Sequence, residues 1–147
     1  MRKSYVMAVA AMSILGCGNP TSASIANAVS GRWKFGGQPP GNYFGMTLYA
    51  HGTDLSGTGI VIGEAGPHGS SAITGAVVGE EVHLDFIITT DVPNGPPPYL
   101  AHFTGKLAMG SLRGSLQYGV AGPQNPPGPV VFTRSDTDIP AALFHFP

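Results

Sequence analysis

Two neighbouring segments of the chain carry the same β-hairpin pattern, and this pattern limits the folds that are open to it. Ile-Thr-Gly at residues 73–75 matches Phe-Thr-Gly at residues 103–105. Each segment continues into a two-residue turn, Gly-Glu at 79–80 and Met-Gly at 109–110. Glycine in such turns provides the positive φ that tight hairpins require. The sequence therefore predicts two antiparallel hairpins of the same design.

The two turns also predict which residues face each other across the hairpins. The expected apolar pairs are Val77 with Val82, Gly75 with Leu84, Ile73 with Phe86, Leu107 with Leu112, Gly105 with Gly114 and Phe103 with Leu116. The opposite face then carries Thr74, His83, Asp85, Thr104, Lys106, Arg113, Ser115 and Gln117. A slip of one residue would mix the two faces, so this register is strongly specified.

Short alternating runs separated by turn residues continue through the rest of the chain, which is typical of an all-β domain. The 22 glycines and 14 prolines agree with many short elements. We predict eight strands, at residues 31–35, 44–50, 55–62, 72–78, 81–89, 99–108, 111–118 and 130–134. Mid-strand glycines at 57, 75, 105 and 114 are expected where a sheet coils tightly. The predicted fold is an eight-stranded antiparallel up-and-down β-barrel.

The connections between the predicted strands alternate in length. Three are tight, at residues 51–54, 79–80 and 109–110, and four are long and rich in glycine and proline, at 36–42, 63–70, 90–98 and 119–129. Alternate connections of a meander lie at the same end. We therefore expect all four long loops at one end of the barrel, here called the mouth, and the tight turns at the other end, the base.

The first 17 residues resemble the signal peptide and lipobox of bacterial lipoprotein precursors. A positive start, Met-Arg-Lys, is followed by an apolar run that ends in Ile14-Leu15-Gly16-Cys17. The resemblance implies cleavage before Cys17 and its lipidation, and Gly18 in the next position favours the outer membrane. Cys17 is the only cysteine, so it cannot form an intrachain disulfide. The alternative is ordinary signal peptidase cleavage after Ala28.

These features give the expected domain organisation. Residues 1–16 form the signal peptide, 17–29 a flexible tether, 30–135 the barrel domain and 136–147 a C-terminal tail. Because the first strand starts at the base, the lipid anchor is expected there, with the mouth pointing away from the membrane.

Two short motifs at opposite ends of the domain resemble the structural signature of calycins, the group that contains lipocalins and avidins. They are Gly-Arg-Trp at residues 31–33 and Phe-Thr-Arg at residues 132–134. The resemblance implies that Trp33 plugs the closed end of the barrel and that Arg134 stacks over its ring. The chain departs from avidins, which line their biotin site with several tryptophans, because Trp33 is its only one. Biotin binding is therefore not expected.

The mouth is the expected binding site, since long loops on a rigid scaffold commonly carry function. Aromatic residues stand at the strand ends around it: Phe35, Tyr43, Phe44, Tyr99 and Tyr118. Such residues line apolar pockets, and they also cap cores. We expect a small apolar ligand or a protein partner there.

Other chemistry has weaker support in the sequence. The five histidines, at positions 51, 68, 83, 102 and 145, have no compact ligand spacing, although His83 and His102 are expected on neighbouring strands near Asp85. No nucleophile motif or phosphate loop is present, and the net charge of −1 does not favour nucleic acid. We therefore expect no cofactor and a binding function. A small barrel enzyme of the isomerase or cyclase type and a purely structural surface lipoprotein are the alternatives.

Overall fold

The structure is a computed structural model that describes residues 20–36, 43–62, 69–90, 97–120 and 125–136. It contains one helix and eight strands in these residues. They are α1 (Ser22–Val29), β1 (Gly31–Gly36), β2 (Tyr43–His51), β3 (Asp54–Ile62), β4 (Gly69–Val78), β5 (Glu81–Thr90), β6 (Tyr99–Ala108), β7 (Ser111–Val120) and β8 (Gly128–Arg134). Among the described residues, no helix is long and apolar enough to cross a bilayer.

The eight strands form a closed antiparallel barrel in which each strand pairs with its sequence neighbours. Strand β1 also pairs with β8, through Trp33 opposite Arg134 and Lys34 opposite Thr133. The predicted up-and-down barrel is thus confirmed. Closure leaves no sheet edge for other chains to pair with, which matters for a chain with few charges.

The register predicted from the two tight turns is also confirmed. Val77 faces Val82 and Ile73 faces Phe86 in one hairpin, and Leu107 faces Leu112 in the other. Alternate residues therefore point inward, and the buried core contains Leu48, Leu84 and Phe103 at its centre. In the second turn, Met109 has a φ of 49° and Gly110 a φ of 73°, so both turn residues adopt the left-handed conformation.

Glycines inside the barrel allow its strands to approach closely. A Cβ atom built on Gly75 would lie 2.1 Å from the His83 carbonyl oxygen. A Cβ atom on Gly114 would lie 2.1 Å from the carbonyl oxygen of Thr104. These distances are far inside van der Waals contact, so a side chain could fit only if the backbone moved. At these mid-strand glycines the neighbouring strands lie too close for a side chain.

The segment predicted as a flexible tether contains helix α1, and the prediction is wrong for residues 22–29. Thr21 caps the helix by accepting a hydrogen bond from the Ser24 N–H. Ile25, Ala26 and Val29 are buried against the barrel core. An eight-residue helix is unstable alone, so its packing against the barrel must hold it. The small, polar sequence gave little indication of this packing.

Trp33 and Arg134 bind the C-terminal end of this helix. The Trp33 ring is fully buried, and its Nε1 donates to the Val29 carbonyl at 2.7 Å. The Arg134 guanidinium donates to the carbonyls of Ala28 and Ser30. At the other end of the helix, Ser22 Oγ donates to the Gly79 carbonyl in the β4–β5 turn. Helix α1 therefore lies across the base of the barrel and closes it.

Candidate binding site at the mouth of the barrel

The interior of the barrel contains an apolar cavity of about 180 Å³ toward the mouth, here called the inner cavity. Its lining comes from seven of the eight strands and has no charged side chain. The lining residues are Phe35, Phe44, Val61, Phe86, Ile88, Ala101, Leu116 and Phe132. All of them stand at inward positions of the register, so strand alternation alone directs these side chains to one space.

Four phenylalanines around this cavity contact one another, in two edge-to-face contacts and one tilted contact. The Phe44 ring lies 5.6 Å from that of Phe86 and 5.9 Å from that of Phe132. Phe35 contacts Phe132 at a centroid distance of 6.0 Å. Below them, Phe103 meets Phe132 at 5.5 Å and belongs to the solid core. Such contacts fix ring orientation, so the cavity has rigid walls.

A second space, the outer cavity, lies nearer the rim and has a volume of about 280 Å³. It shares Val61, Ile88, Ala101 and Leu116 with the inner cavity, so the two adjoin. The remaining lining residues are Gly69, Thr90, Tyr99 and Tyr118. The surface that they present to the outer cavity is almost wholly apolar.

Four of the five aromatic residues expected at the mouth line these cavities. Phe35 and Phe44 line the inner cavity, and Tyr99 and Tyr118 line the outer one. Tyr43 instead lies on the outer face of the barrel, where it forms a separate buried cluster with Ile60 and Ile62. Its neighbour Phe44 takes the inward position, so the alternation of β2 excludes Tyr43 from the cavity.

Phe86 and Phe132 are cavity residues that the mouth prediction omitted. Both lie further from their strand ends than the residues that it chose. The predicted register already implied the inward position of Phe86, since it paired Phe86 with Ile73. Phe132 faces Leu112 in the β7–β8 pair, which the predicted register did not include. What the sequence could not show is where along the barrel axis the packed core ends and the open space begins.

The hydroxyl of Thr90 is the one buried polar atom of the described side chains without a hydrogen-bond partner. Thr90 faces Gly69 across the β4–β5 pair and lines the outer cavity. A buried hydroxyl without a partner costs free energy, and most such groups in proteins are satisfied. Since the surface of the outer cavity is almost wholly apolar, this hydroxyl does not face it.

Outside the barrel, the polar residues of β5 and β6 form a hydrogen-bonded row. His102 Nδ1 lies 2.7 Å from Asp85 Oδ1, and the carboxylate can only accept, so Nδ1 donates. The Thr104 hydroxyl lies 3.0 Å from His102 Nε2. This Asp–His–hydroxyl order is that of a nucleophilic triad. The backbone N–H groups of β6 are paired with β5 and β7, however, and do not form an oxyanion site.

His83 and His102 are neighbours across β5 and β6, as expected, and their ring centroids lie 6.1 Å apart. His83 lies 3.6 Å from Glu81, and His102 contacts Asp85 and Thr104. Within the described ranges, no group of three or more His, Cys, Asp or Glu side chains is arranged to hold a metal ion. His68 and His145 lie outside the described residues. The row is a cross-strand polar network of the barrel surface.

Two other depressions of the described surface are larger than the inner cavity. One, of about 460 Å³, lies at the base between helix α1 and the tight turns. The other, of about 480 Å³, lies on the outer face of β3, β4 and β5. Neither has an aromatic residue in its lining, and both present more polar surface than the cavities of the mouth. Cys17 and most of the four long loops lie outside the described residues.

Comparison of the chain with protein-family models, with curated proteins and with solved structures gives no significant match in any of the three. The assignment of a function therefore rests on the cavity, on the closed base and on the sequence.

Proposed function

We propose that this protein is a lipid-anchored β-barrel of the bacterial envelope that binds a small apolar ligand in the mouth of its barrel. The observation that carries the proposal is the inner cavity, with its four phenylalanines and the outer cavity that adjoins it nearer the rim. An apolar molecule that enters a cavity lined by apolar side chains leaves water, and this lowers the free energy. This is a binding function that needs no catalytic group.

Because the base is closed, a binding cavity that is open at one end is favoured, and a channel through the barrel is not. Helix α1 lies across it, and Trp33 and Arg134 bind the end of the helix. A ligand therefore has access from the mouth. The stacking of Arg134 over Trp33 supports placing the chain among calycin-like barrels, where a first-strand tryptophan and a last-strand basic residue have this relationship.

The position of helix α1 supports lipidation at Cys17. Cleavage after Ala28 would remove Ile25 and Ala26, which are buried, and the Ala28 carbonyl to which Arg134 donates. Cleavage before Cys17 keeps the whole helix. Only three peptide steps separate Cys17 from Pro20, a reach of at most about 11 Å. An anchored barrel would therefore sit with its base close to the membrane and its mouth turned away.

Calorimetric titration with toluene tests the binding proposal, since toluene is apolar and small enough for a cavity of about 180 Å³. Ala101 lines both cavities, and a larger side chain at this position should fill them. We expect the unaltered protein to bind toluene and the variant Ala101→Phe to bind none. Ala72→Phe is the matched control, because Ala72 is exposed on the outer face. Absence of toluene binding, or equal binding by Ala101→Phe, would contradict the proposal.

A further inference from the structure

We propose that a ligand reaches the inner cavity through the side of the mouth, between β1 and β8, and that the ring of Phe35 is the gate of this entrance. This inference rests on the proposed function and specifies how the same site is reached. Phe35 then controls how fast the ligand enters and leaves, while the walls of the cavity determine how tightly it is held.

The seam between β1 and β8 is the most weakly paired part of the barrel. The two strands pair at only two positions, Trp33 with Arg134 and Lys34 with Thr133. Every other pair of neighbouring strands has at least six paired positions. Both β1–β8 pairs lie at the base end of β8, so residues 128–132 of β8 have no paired residue in β1. The wall is therefore open on this side, toward the mouth.

The local sequence prevents this seam from closing further up. The N–H and C=O of a strand residue point to the same neighbour, and this direction alternates along the strand. The Ser135 N–H donates to the Arg32 carbonyl, so Val131 and Pro129 also direct their backbone groups toward β1. Pro129 has no N–H to donate, and proline within sheets is confined to such unpaired positions. On β1, Gly36 has a φ of 92°, outside the range of a regular strand, and the strand ends there.

Phe35 stands at this opening and belongs to the inner cavity at the same time. It follows Lys34, the last β1 residue that pairs with β8. Its side chain lines the inner cavity and is nevertheless 46% exposed. The other seven lining residues of the inner cavity are buried or half-buried. The ring of Phe35 is therefore the part of the lining that separates the inner cavity from solvent at the seam.

Phe35 is also the least restrained of the phenylalanines that line the inner cavity beside β8. Among the described aromatic rings it contacts only that of Phe132, edge to face at 6.0 Å. Phe132 is fully buried and contacts the rings of Phe44 and Phe103 as well. A half-exposed ring with one such contact loses little when it turns outward. Rotation of Phe35 thus opens the inner cavity and leaves the core behind Phe132 in place.

A gate and a wall residue have different kinetic effects. When a side chain must move before the ligand can enter, association is slower than with free access. A smaller side chain at such a gate raises the rate constants of association and dissociation together. A residue that only contacts the bound ligand changes the dissociation rate and the dissociation constant, and it leaves the association rate constant unchanged. The association rate constant therefore identifies the gate.

The test measures toluene exchange by nuclear magnetic resonance and the dissociation constant by calorimetry, which together give the association rate constant kon. We expect kon to rise at least about fivefold in Phe35→Leu and to fall at least about fivefold in Phe35→Trp, whose larger ring fills the entrance. Tyr49→Leu is the matched control, because Tyr49 is an exposed aromatic residue that lines neither cavity. It should leave kon within about twofold of the unaltered protein.

A further variant, Tyr118→Leu, tests the competing route through the outer cavity, since Tyr118 is exposed and lines that cavity. An increase in kon as large as that of Phe35→Leu would overturn the inference. So would an unchanged kon in the Phe35 variants, even with an altered dissociation constant. Phe35 is half-exposed, so both of its variants should fold, and either of them decides the outcome. If no form binds toluene, the proposed function fails and this inference fails with it.

Discussion

The guanidinium of Arg134 lies over the indole ring of Trp33, with Cζ 4.0 Å from the ring centroid. The two residues are also direct neighbours where β8 meets β1 and closes the barrel. Both donate hydrogen bonds to carbonyls at the end of helix α1. One residue pair therefore joins the first strand, the last strand and the helix that closes the base. Partial burial lowers the pKa of Arg134, which nevertheless stays protonated at neutral pH.

Replacement of Arg134 by methionine should destabilise the protein by about 2 kcal/mol. Methionine retains apolar contact with Trp33 but loses the charged hydrogen bonds to Ala28 and Ser30 and the cation–π contact. Urea unfolding followed by the fluorescence of Trp33, the only tryptophan, gives the measurement. Arg113→Gln, an exposed change on β7, should alter stability by less than about 0.5 kcal/mol. Equal effects of the two changes would show that the Arg134 contacts contribute nothing.

Removal of helix α1 should cost more than about 3 kcal/mol, because Ile25 and Val29 each bury a full aliphatic side chain. The comparison is between chains that begin at Gly18, at Pro20 and at Ser30, each unfolded in urea. The first two should be equally stable. If the chain from Ser30 had the same urea midpoint as the longer chains, the helix would have no structural role. Cleavage after Ala28 would then leave the barrel as stable as before.

Gly75→Ala should destabilise the barrel by about 3 kcal/mol or prevent folding, because the new Cβ would meet the His83 carbonyl oxygen at 2.1 Å. Gly128→Ala is the matched control, since nothing lies within 4 Å of a Cβ built there. It should change stability by less than about 0.5 kcal/mol. Thermal unfolding of both variants gives the measurement. If Gly75→Ala were as stable as Gly128→Ala, β4 and β5 would not be as close at Gly75 as the structure shows.

Cys17→Ala should move the protein from the membrane fraction to the soluble fraction, because acyl chains are expected to hold it there. Ser13→Ala, within the same apolar segment, should leave it in the membrane fraction. Mass spectrometry of the mature N-terminus should show acylated Cys17. A mature chain that starts at Val29 without any modification would refute lipidation.

The sequence predicted the barrel well because tight turns and alternation act locally. The turns at 79–80 and 109–110 determined the pairing of Ile73 with Phe86 and of Phe103 with Leu116. Helix α1 could not be predicted in the same way, because its stability comes from contacts with the barrel base, including Trp33 and Arg134. Tyr43 was expected beside the mouth because the second strand was predicted to begin at Phe44. The strand begins one residue earlier, so the alternation that sends Phe44 inward turns Tyr43 outward.

The cavity itself depends on packing along the barrel axis, which hydrophobic alternation does not encode. Phe103 and Phe86 both face inward and belong to the core, yet only Phe86 also lines the inner cavity. Alternation along a strand shows that both face inward, but it does not show which of them has open space beside it.

Native mass spectrometry of the protein, extracted under mild conditions from the cells that produce it, shows whether the mouth holds a ligand. We expect a bound small apolar molecule that is absent from the Ala101→Phe variant prepared in the same way and present in Ala72→Phe. A mass that corresponds in all three proteins to the mature chain and its N-terminal modification alone would contradict ligand binding in the mouth.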